Sequence, residues 1–591
     1  MSFNALSEIW SFFDVVERKR FTSRDIITAV NQLPENNPEA EQCSYEALAF
    51  GFVPSNSENE WGTYYGYQWA VKQKDTDEDV YIPEISSVTP VIINYWELRA
   101  SMVVNPLLKM RYTGLVLDFK KRITGKQPDY KTIKQANVEA IIAVIEGDYA
   151  NNLTTLCYAE RALKLATGFR NEELAHRVAK AFFEAHKRMA APDSKPGLWC
   201  KIVQGLIKYP NAFEPYKEEI LRENIGRLTR LENKALEEGE RTDKYAHILS
   251  GQIDILCEYY HAIGENDKIE GLLDRLLVAL KKPILVRGAM WGQSMFEGMQ
   301  HRYRKYGMDK KANRLYVDIS DLGGKVLEEM QKHEHSFTLE REKIDAFLKA
   351  AMEGTHEERL VRYIINYLPV REEKLREQKE HAREFPLEDI ISTRVIDEQG
   401  NATKRIGAGK NVEEQKLHHF MCYYITIEAL FMRMHMDELK KNKDVTLESL
   451  LDLFKACPLV VESHMGFLKR GLEAYLDDDH MVCCHILIPQ IEAMVRRLVS
   501  LNGGAVLRQG ADPAAGNEYY SLDSLLDSPV AMECMKEDII TYFKVLFVSE
   551  AGWNLRNLIS HGLIKANSFN STMSDRVVHA LLILSQFKRV S

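Results

Sequence analysis

The chain has 591 residues, of which 45% are hydrophobic and 28% charged, a composition that excludes an intrinsically disordered protein. Its length is enough for roughly three or four domains. The 77 basic and 86 acidic residues give a net charge of -9, so no overall positive field attracts nucleic acid. This charge argues against a protein that coats DNA regardless of sequence, but it is compatible with a local nucleic-acid site.

Cysteine usage and hydropathy favour a cytoplasmic protein without membrane contact. Nine cysteines without any C-x-x-C spacing argue against a disulfide framework and against a zinc site. His418 and His419, like Cys483 and Cys484, are adjacent and point in different directions along a helix, which favours packing over metal binding. The first ten residues do not resemble a signal peptide, and the longest apolar stretch, 420–432, is shorter than the ~20 residues that span a bilayer. We expect no metal, no other cofactor and no membrane partner.

The N-terminal region, residues 1–125, is predicted to be mixed and mostly helical. Two short helices precede residue 33, and Thr22 or Ser23 is the expected N-cap of the second. Proline, glycine and asparagine then indicate turns up to residue 84, with a short aromatic strand near 64–69. Two longer helices are expected at 91–104 and 106–123, on either side of the break at Asn105-Pro106.

Residues 126–390 are predicted to form an irregular helical array that resembles an α-solenoid. Amphipathic helices of 15 to 25 residues follow one another here, separated by short polar, glycine or proline signals. Each such helix can bury its single apolar face only against its neighbours, so stacked helical hairpins are expected. The array is a candidate surface for a protein or ligand that triggers activity. Its alternative role is only to support the C-terminal domain.

Residues 391–412 are predicted to form a β-hairpin and linker. Thr-Arg-Val-Ile and Ala-Thr-Lys-Arg-Ile alternate in polarity around a turn at Gly400-Asn401. Connecting helices are expected at 413–461, followed by a helical bundle at 462–591. Within that bundle the glycine-rich segment 502–520 is expected to be a mobile loop, and one helix is expected at 530–548.

The stretch 552–563 combines Arg556, Asn557 and His561 with apolar neighbours. Asn557 and His561 are four residues apart and therefore lie on one helical face, while Gly562 permits either a helix end or the close approach of another backbone. We expect the apolar neighbours to exclude water from the three polar side chains.

Arg-His spacing alone is not specific, because similar pairs occur elsewhere in the chain. We interpret these other pairs as exposed helix faces or as side chains that point apart. They are Arg170/His176, Arg241/His247 and Arg376/His381.

The motif Arg556-Asn557-x-x-x-His561-Gly562 resembles the signature of the HEPN superfamily (higher eukaryotes and prokaryotes nucleotide-binding). More closely, it resembles a mainly bacterial family with a C-terminal RNxxxHG motif. The stretches 487–496 and 105–112 resemble other recurrent parts of that family. HEPN domains are small helical bundles, often dimeric, and many are metal-independent ribonucleases of toxin, stress and anti-phage systems. The resemblance implies such a bundle at 462–591. Leu563 stands where one HEPN branch has a nucleotidylated tyrosine, so that regulation is expected to be absent.

The chemistry of RNA cleavage fits these residue types. His561 would act as base or acid, Arg556 would bind the phosphate and stabilise the transition state, and Asn557 would orient the phosphate or His561. Because one histidine cannot easily make both proton transfers, we expect a homodimer through the C-terminal bundle.

Three further residues are candidates for binding RNA. Trp553 is a candidate to stack a base, although a core position is the alternative. Glu492 and Arg496 either line the site or form an ordinary ion pair within one helix.

The sequence therefore predicts an all-α protein with a helical array, a small β-hairpin and a C-terminal HEPN-like bundle. The leading functional prediction is a metal-independent endoribonuclease that cleaves RNA by attack of the 2′-hydroxyl, in bacterial defence or stress. The alternative is a scaffold protein that binds nucleotide or RNA without cleavage.

Overall fold

The computed structural model describes residues 3–34, 37–54, 59–72, 79–190, 196–237, 242–331, 338–387, 392–407, 410–510 and 516–588. Most of these residues are helical, and the strands among them form only two-stranded antiparallel sheets. The predicted all-α class is therefore confirmed. None of the described helices has both the length and the apolar content that a membrane-spanning segment needs. The chain divides into two compact units, Met1–Leu315 and Tyr316–Ser591.

The first unit is built mainly from helices. Its elements are α1 (Leu6–Phe13), α2 (Ser23–Asn31), α3 (Ala40–Gly51), β1 (Val53–Pro54), β2 (Tyr65–Gly66), β3 (Trp69–Lys72), β4 (Asp79–Ile82), α4 (Pro90–Met102), α5 (Pro106–Thr124), α6 (Ala136–Glu146), α7 (Asn152–Gly168), α8 (Glu172–Ala190), α9 (Pro196–Lys208), α10 (Pro210–Phe213), α11 (Lys217–Glu237), α12 (Thr242–Ala262), α13 (Asn266–Arg287) and α14 (Ala289–Lys305). The helix α15 (Asp309–Glu329) begins in this unit and ends in the second.

Local signals set the helix boundaries at the N-terminal end of the chain. The Thr22 side chain caps α2 in a capping box with Asp25, as predicted. Asn105 caps α5 and Pro106 occupies its first position, which explains the break after α4. Buried residues from Leu6 to Ile133 form one core in this part of the unit.

Helix α3 lies in the interval that the sequence analysis assigned to turns. Ala49 and Phe50 are buried, and the Glu46 carboxylate accepts hydrogen bonds from the hydroxyls of Tyr95 at 2.7 Å and Tyr112 at 2.6 Å. These partners lie on α4 and α5. Tertiary packing therefore outweighs the local turn signals.

The helices from α6 onward pack against their neighbours in sequence. Contacts join α7 to α8, α12 to α13 and α13 to α14. This is the packing expected of stacked helices, and the solenoid-like course of the array stays a prediction.

The second unit holds the C-terminal motif. Its elements after α15 are α16 (Arg341–Ala351), α17 (His356–Asn366), α18 (Arg371–Glu384), β5 (Thr393–Ile396), β6 (Ala402–Ile406), α19 (Val412–Lys441), α20 (Leu447–Lys455), α21 (Met465–Leu476), α22 (His480–Leu501), β7 (Leu507–Gln509), β8 (Asn517–Tyr519), α23 (Leu522–Leu526), α24 (Pro529–Cys534), α25 (Glu537–Phe547), α26 (Leu555–Ser560) and α27 (Ser571–Ser585).

The core of this unit is continuous from Leu360 to Leu584. Helix α27 is buried along most of its length and packs against α19 and α22. The helices at 413–461, which the sequence analysis treats as connectors, contribute Leu417, Met421 and Met432 to this core. They therefore share the core of the C-terminal bundle.

Three predicted segments of the second unit can be compared with the structure. The hairpin of β5 and β6 is present as predicted, with Thr393 opposite Ile406. The segment 502–520 is not an irregular loop at its flanks, because β7 and β8 pair there; residues 511–515 lie outside the described range. The helix predicted at 530–548 is divided into α24 and α25, since Met535 is extended.

Arg576 ties several helices to α27. Its guanidinium is fully buried and donates to the carbonyl oxygens of Tyr367 at 2.9 Å and Ile425 at 2.8 Å. His579, one turn later, lies 3.0 Å from the Tyr542 hydroxyl and 2.9 Å from the Ile364 carbonyl oxygen. These bonds connect α27 to α17, α19 and α25.

Candidate functional site

The loop before α26 is folded back on the end of α25. The Trp553 amide donates to the Val545 carbonyl oxygen at 2.7 Å, and a Cβ at Gly552 would overlap that same oxygen. Asn554 is left-handed, with φ 52°, and occupies the N-cap position of α26, where its side chain makes no hydrogen bond to the helix backbone. Leu555, 1% exposed, anchors the six-residue helix on the core.

The end of α26 is set by Gly562. The Gly562 amide donates to the Ile559 carbonyl at 3.2 Å, and the Leu563 amide donates to the Leu558 carbonyl at 2.8 Å. This pair of bonds is a Schellman motif, which requires the left-handed backbone that Gly562 adopts at φ 65°. The predicted helix end is confirmed, and it places His561 as the last residue before the chain turns.

Arg556 and Asn557 are brought together as the sequence predicts. Arg556 Nη1 donates to Asn557 Oδ1 at 3.1 Å, and Asn557 Nδ2 donates to Asn554 Oδ1 at 2.7 Å. Asn554 lies two residues before the motif, and its role is not predicted from the sequence. Its oxygen orients the Asn557 amide so that the amide oxygen faces the arginine.

Glu492 on α22 joins this cluster from outside the motif. Its carboxylate accepts a hydrogen bond from Arg556 Nε at 3.0 Å and another from Arg496 Nη2 at 2.6 Å. The ion pair between Glu492 and Arg496 within α22 is present, and Glu492 also contacts Arg556, while a role of the two residues in binding RNA stays a prediction. Two guanidinium groups share one carboxylate, which leaves one net positive charge for an anion such as phosphate.

His561 lies at the surface. Its amide donates to the Asn557 carbonyl at 3.0 Å, and its ring has no hydrogen-bond partner within the described ranges. The expectation that apolar neighbours exclude water here is wrong, since Leu563 is 43% exposed and His561 itself is exposed. The reason is that α26 is short and buries only Leu555 completely.

Trp553 packs against the core of the second unit. Burial raises the pKa of the Cys422 thiol on α19 to about 11, and an interaction with Trp553 opposes that rise. These contacts favour the core position over base stacking.

No protein-family model, curated protein or solved structure matches this chain.

The other Arg-His pairs differ in their surroundings. Arg376 and His381 are exposed on α18, and Arg241 lies outside the described residues. Arg170 and His176, which were expected to point apart, line one groove of about 400 Å³ together with Asn171. The chain reverses between α7 and α8 at Arg170, φ 55°, so helical spacing does not apply there.

Two polar side chains of that groove, Asn171 and His176, make hydrogen bonds that hold the local structure. Asn171 Oδ1 caps α8 at the Leu174 amide, at 2.9 Å, and its Nδ2 donates to the Tyr130 hydroxyl at 2.9 Å. His176 Nδ1 is bonded to the Glu172 carbonyl at 2.7 Å. Neither of these two Asn171 bonds involves Arg170, whereas the Asn557 side chain is bonded to Arg556.

His418 and the two adjacent cysteines are buried, as predicted, whereas His419 is exposed. His418 Nδ1 lies 2.8 Å from Ser549 Oγ, its Nε2 lies 3.1 Å from Glu414, and Cys483 and Cys484 are fully buried. In the described part of the chain, no three His, Cys, Asp or Glu side chains are grouped so that they could hold a metal ion.

Proposed function

We propose that this protein is a metal-independent endoribonuclease of the HEPN type, with Arg556, Asn557 and His561 in its site. One observation carries the proposal. The hydrogen-bonded Arg556-Asn557 pair, held by Glu492, lies on the same short helix that ends at an exposed His561. A fixed cation and a solvent-accessible imidazole are two of the groups that cleavage at a phosphodiester needs.

The reaction uses the nucleophile that RNA carries. The 2′-oxygen attacks the adjacent phosphorus while the bond from phosphorus to the 5′-oxygen breaks, which gives a 2′,3′-cyclic phosphate and a 5′-hydroxyl. His561 accepts the proton of the 2′-hydroxyl, and a second acid protonates the leaving oxygen. Arg556 binds the phosphate and opposes the charge that builds up on it, and Asn557 keeps the guanidinium in position.

A homodimer would provide the second acid as the His561 of the other copy. An exposed apolar stripe on α19 supports this part of the proposal. Tyr423, Ile427 and Leu430 are 66%, 40% and 41% exposed, and their spacing places them on one face of the helix. Cys422, the neighbour of Tyr423, interacts with Trp553 beside the motif.

The proposal extends to the setting of the enzyme. A nuclease of bacterial defence or stress must be restrained until it is needed, and the helices of the array are the proposed receptor for the trigger. Their stacking of sequence neighbours supports this part, because such arrays present extended surfaces to partners.

One observation favours the alternative, a protein that binds RNA or nucleotide without cleavage. The His561 ring has no partner in the described residues to set its orientation, whereas a catalytic histidine is commonly oriented by a second group. Binding requires only the net positive charge of the arginines around Glu492.

The decisive experiment incubates the purified full-length protein with tRNA or mRNA in EDTA. We expect products that end in 2′,3′-cyclic phosphate, and we expect His561→Ala to abolish them while leaving the melting temperature unchanged, since the side chain is exposed. His176→Ala is the matched control, because it removes an exposed histidine from the other arginine-asparagine groove.

Three results would decide against the proposal. If RNA stays intact with the wild-type protein when cell extract is also supplied as a source of trigger, the nuclease proposal fails. If RNA is bound but not cut, the binding protein is favoured. If cleavage is lost in His176→Ala and not in His561→Ala, the active site lies in the first unit.

A further inference from the structure

The second unit contains a cavity beside the candidate site. It has a volume of about 400 Å³ and lies between α22, the residues that lead into α21, and the bases of strands β7 and β8. This volume falls in the range of roughly 300–1,000 Å³ that small-molecule sites occupy.

The cavity wall is apolar on one side and cationic on the other. Leu459, Leu468 and Met494 form part of the apolar side. Arg496 and Arg497 line the other side, and none of the lining residues carries a carboxylate. A ligand that fits both sides has an apolar body and a negative charge.

Buried polar atoms at this wall lack partners in the protein. Gln490 is 8% exposed, and its Oε1 atom has no hydrogen bond within the described residues. The same holds for Arg497 Nε and for Arg496 Nε. Buried polar groups are rarely left without partners, because the missing hydrogen bond costs free energy. The three atoms are also shielded from solvent, so a ligand with an acceptor for the guanidinium groups and a donor for the amide oxygen bonds to them once their side chains turn toward the cavity.

Tyr519 adds an aromatic surface at the mouth. Its ring is 67% exposed and lies 5.4 Å from the guanidinium carbon of Arg496. A flat ring can stack on such a tyrosine or on the arginine plane. This surface favours a ligand whose apolar body is an aromatic ring.

We propose that this cavity binds a small organic anion with a flat ring that carries hydrogen-bond donors, the chemistry of a nucleoside monophosphate, and that binding is transmitted to Arg556. Arg497 and Arg496 bind the anion, Gln490 accepts a hydrogen bond from the ring, and the apolar wall covers the ring faces.

The path to the motif runs through one carboxylate. Arg496, which lines the cavity, donates to Glu492 Oε1, while Arg556 donates to Glu492 Oε2. An anion in the cavity attracts Arg496 away from Glu492. The carboxylate then pairs with Arg556 alone, which lowers the positive charge that Arg556 offers to RNA. The bound anion is therefore an inhibitor of the candidate site, a consequence that rests on the proposed function.

Calorimetry on the full-length protein tests the binding. The ligands are AMP, GMP, CMP, UMP and inorganic phosphate. Each is added to a concentration of about 1 mM, so that weak binding is also detected. We expect at least one nucleotide to bind once per chain and more tightly than phosphate. Arg497→Met, which keeps the apolar stem, and Ala493→Phe, which fills the cavity, should each weaken binding at least tenfold. Arg470→Met is the matched control, because Arg470 lies exposed on α21 outside the cavity.

Other outcomes of that titration overturn the proposal. They are the absence of saturable nucleotide binding, affinity for phosphate equal to that for every nucleotide, or wild-type affinity in both Arg497→Met and Ala493→Phe with unchanged melting temperatures. If only single-stranded RNA binds in an Arg497-dependent way, the cavity holds a nucleotide of the RNA strand and the free-effector proposal is overturned.

The transmission is tested without RNA. The Nε–H resonance of Arg556, assigned by its loss in Arg556→Lys, should shift on nucleotide addition and saturate with the calorimetric affinity. Glu492→Gln should bind nucleotide while most of this shift disappears. An unmoved resonance in the wild type overturns the transmission. Neither the calorimetry nor the resonance measurement depends on RNA cleavage, so both can confirm nucleotide binding even if the ribonuclease proposal fails. If cleavage is found, bound nucleotide should slow it about fivefold or more.

Discussion

Glu492 accepts a hydrogen bond from Arg556 Nε at 3.0 Å, although 64 positions separate the two residues in sequence. The carboxylate lies on the 22-residue helix α22 and the guanidinium on the six-residue helix α26. A helix as short as α26 is not stable by itself, because too few hydrogen bonds offset the cost of nucleation. The bond to Glu492 therefore helps to keep Arg556 in place.

Glu492→Gln should loosen α26. The amide keeps the shape of the side chain but loses the charge that two arginines share, so we expect the free energy of unfolding to fall by about 1–3 kcal/mol. Urea denaturation measures the loss, and hydrogen exchange of the α26 amides should rise. Glu473→Gln is the control, since that carboxylate lies 3.9 Å and 4.0 Å from its partners, Lys469 and Arg470. Equal losses in the two variants would contradict a special role for Glu492.

Gly562→Ala should separate the two possible reasons for a glycine after His561. No atom lies within 4 Å of a Cβ at this position, so the cost comes only from φ 65°, and we expect a loss of about 1–2 kcal/mol. Gly562→Asn should cost less, because asparagine tolerates the left-handed region. Gly466→Ala is a control for which we expect the free energy of unfolding to rise instead of fall. Gly466 lies exposed in α21 with open space around it, and alanine should stabilise that helix by about 0.5–1 kcal/mol. If Gly562→Ala unfolds like the wild type, the Schellman motif does not hold α26.

Acid should destabilise the second unit through its buried histidines. Burial lowers the pKa of His579 from 6.5 to about 3 and that of His435 to about 4. Below pH 6.5 these two histidines bind protons in the unfolded chain but stay neutral in the folded chain. Stability is therefore fully present above 6.5 and is lost as the pH falls toward about 4, by ~1.4 kcal/mol per histidine and pH unit.

His435→Leu tests this pH dependence. The His435 ring is fully buried among aromatic side chains, including Tyr363 and Phe347, and neither ring nitrogen makes a well-aligned hydrogen bond within the described residues, so an apolar replacement should cost little near neutral pH. Between pH 6.5 and about 4 the variant should lose stability with a shallower slope than the wild type, as followed by urea denaturation at several pH values. An unchanged slope would show that His435 is not a source of the acid sensitivity.

Ile427→Asp should disrupt the proposed dimer. A charge in the middle of the stripe of Tyr423, Ile427 and Leu430 cannot be buried against another copy without a large desolvation cost. We expect the sedimentation coefficient to change from that of a dimer to that of a monomer, and cleavage of RNA to fall with it. Leu153→Asp, on the exposed face of α7, is the control. A wild-type protein that is active as a monomer would remove the dimer from the proposal.

Local sequence predicted the features whose cause is local. Thr22 caps α2 because its hydroxyl reaches an amide three residues away, Asn105-Pro106 separates two helices, and the alternation around Gly400 gives the β5–β6 hairpin. The end of α26 belongs to this group, since the left-handed backbone at Gly562 is a property of that residue.

Features that depend on distant residues could not be predicted in this way. Helix α3 forms because α4 and α5 cover it. The helices at 413–461 join the bundle core because α19 packs against α27 and α20 packs against α21. The cavity at Arg497 was missed as well. A polar Gln490 within an apolar run of α22 was its only signal in the sequence.

For the candidate site, the sequence by itself determined that Arg556, Asn557 and His561 lie in one short segment and where their helix ends, because bonding from Asn554 to Leu563 stays within ten residues. Only the tertiary structure decided that Arg556 shares Glu492 with Arg496 and that His561 is open to solvent. Charge pairing and burial are set by whichever surfaces meet when the chain packs, and α22 meets α26 through contacts that no local spacing encodes.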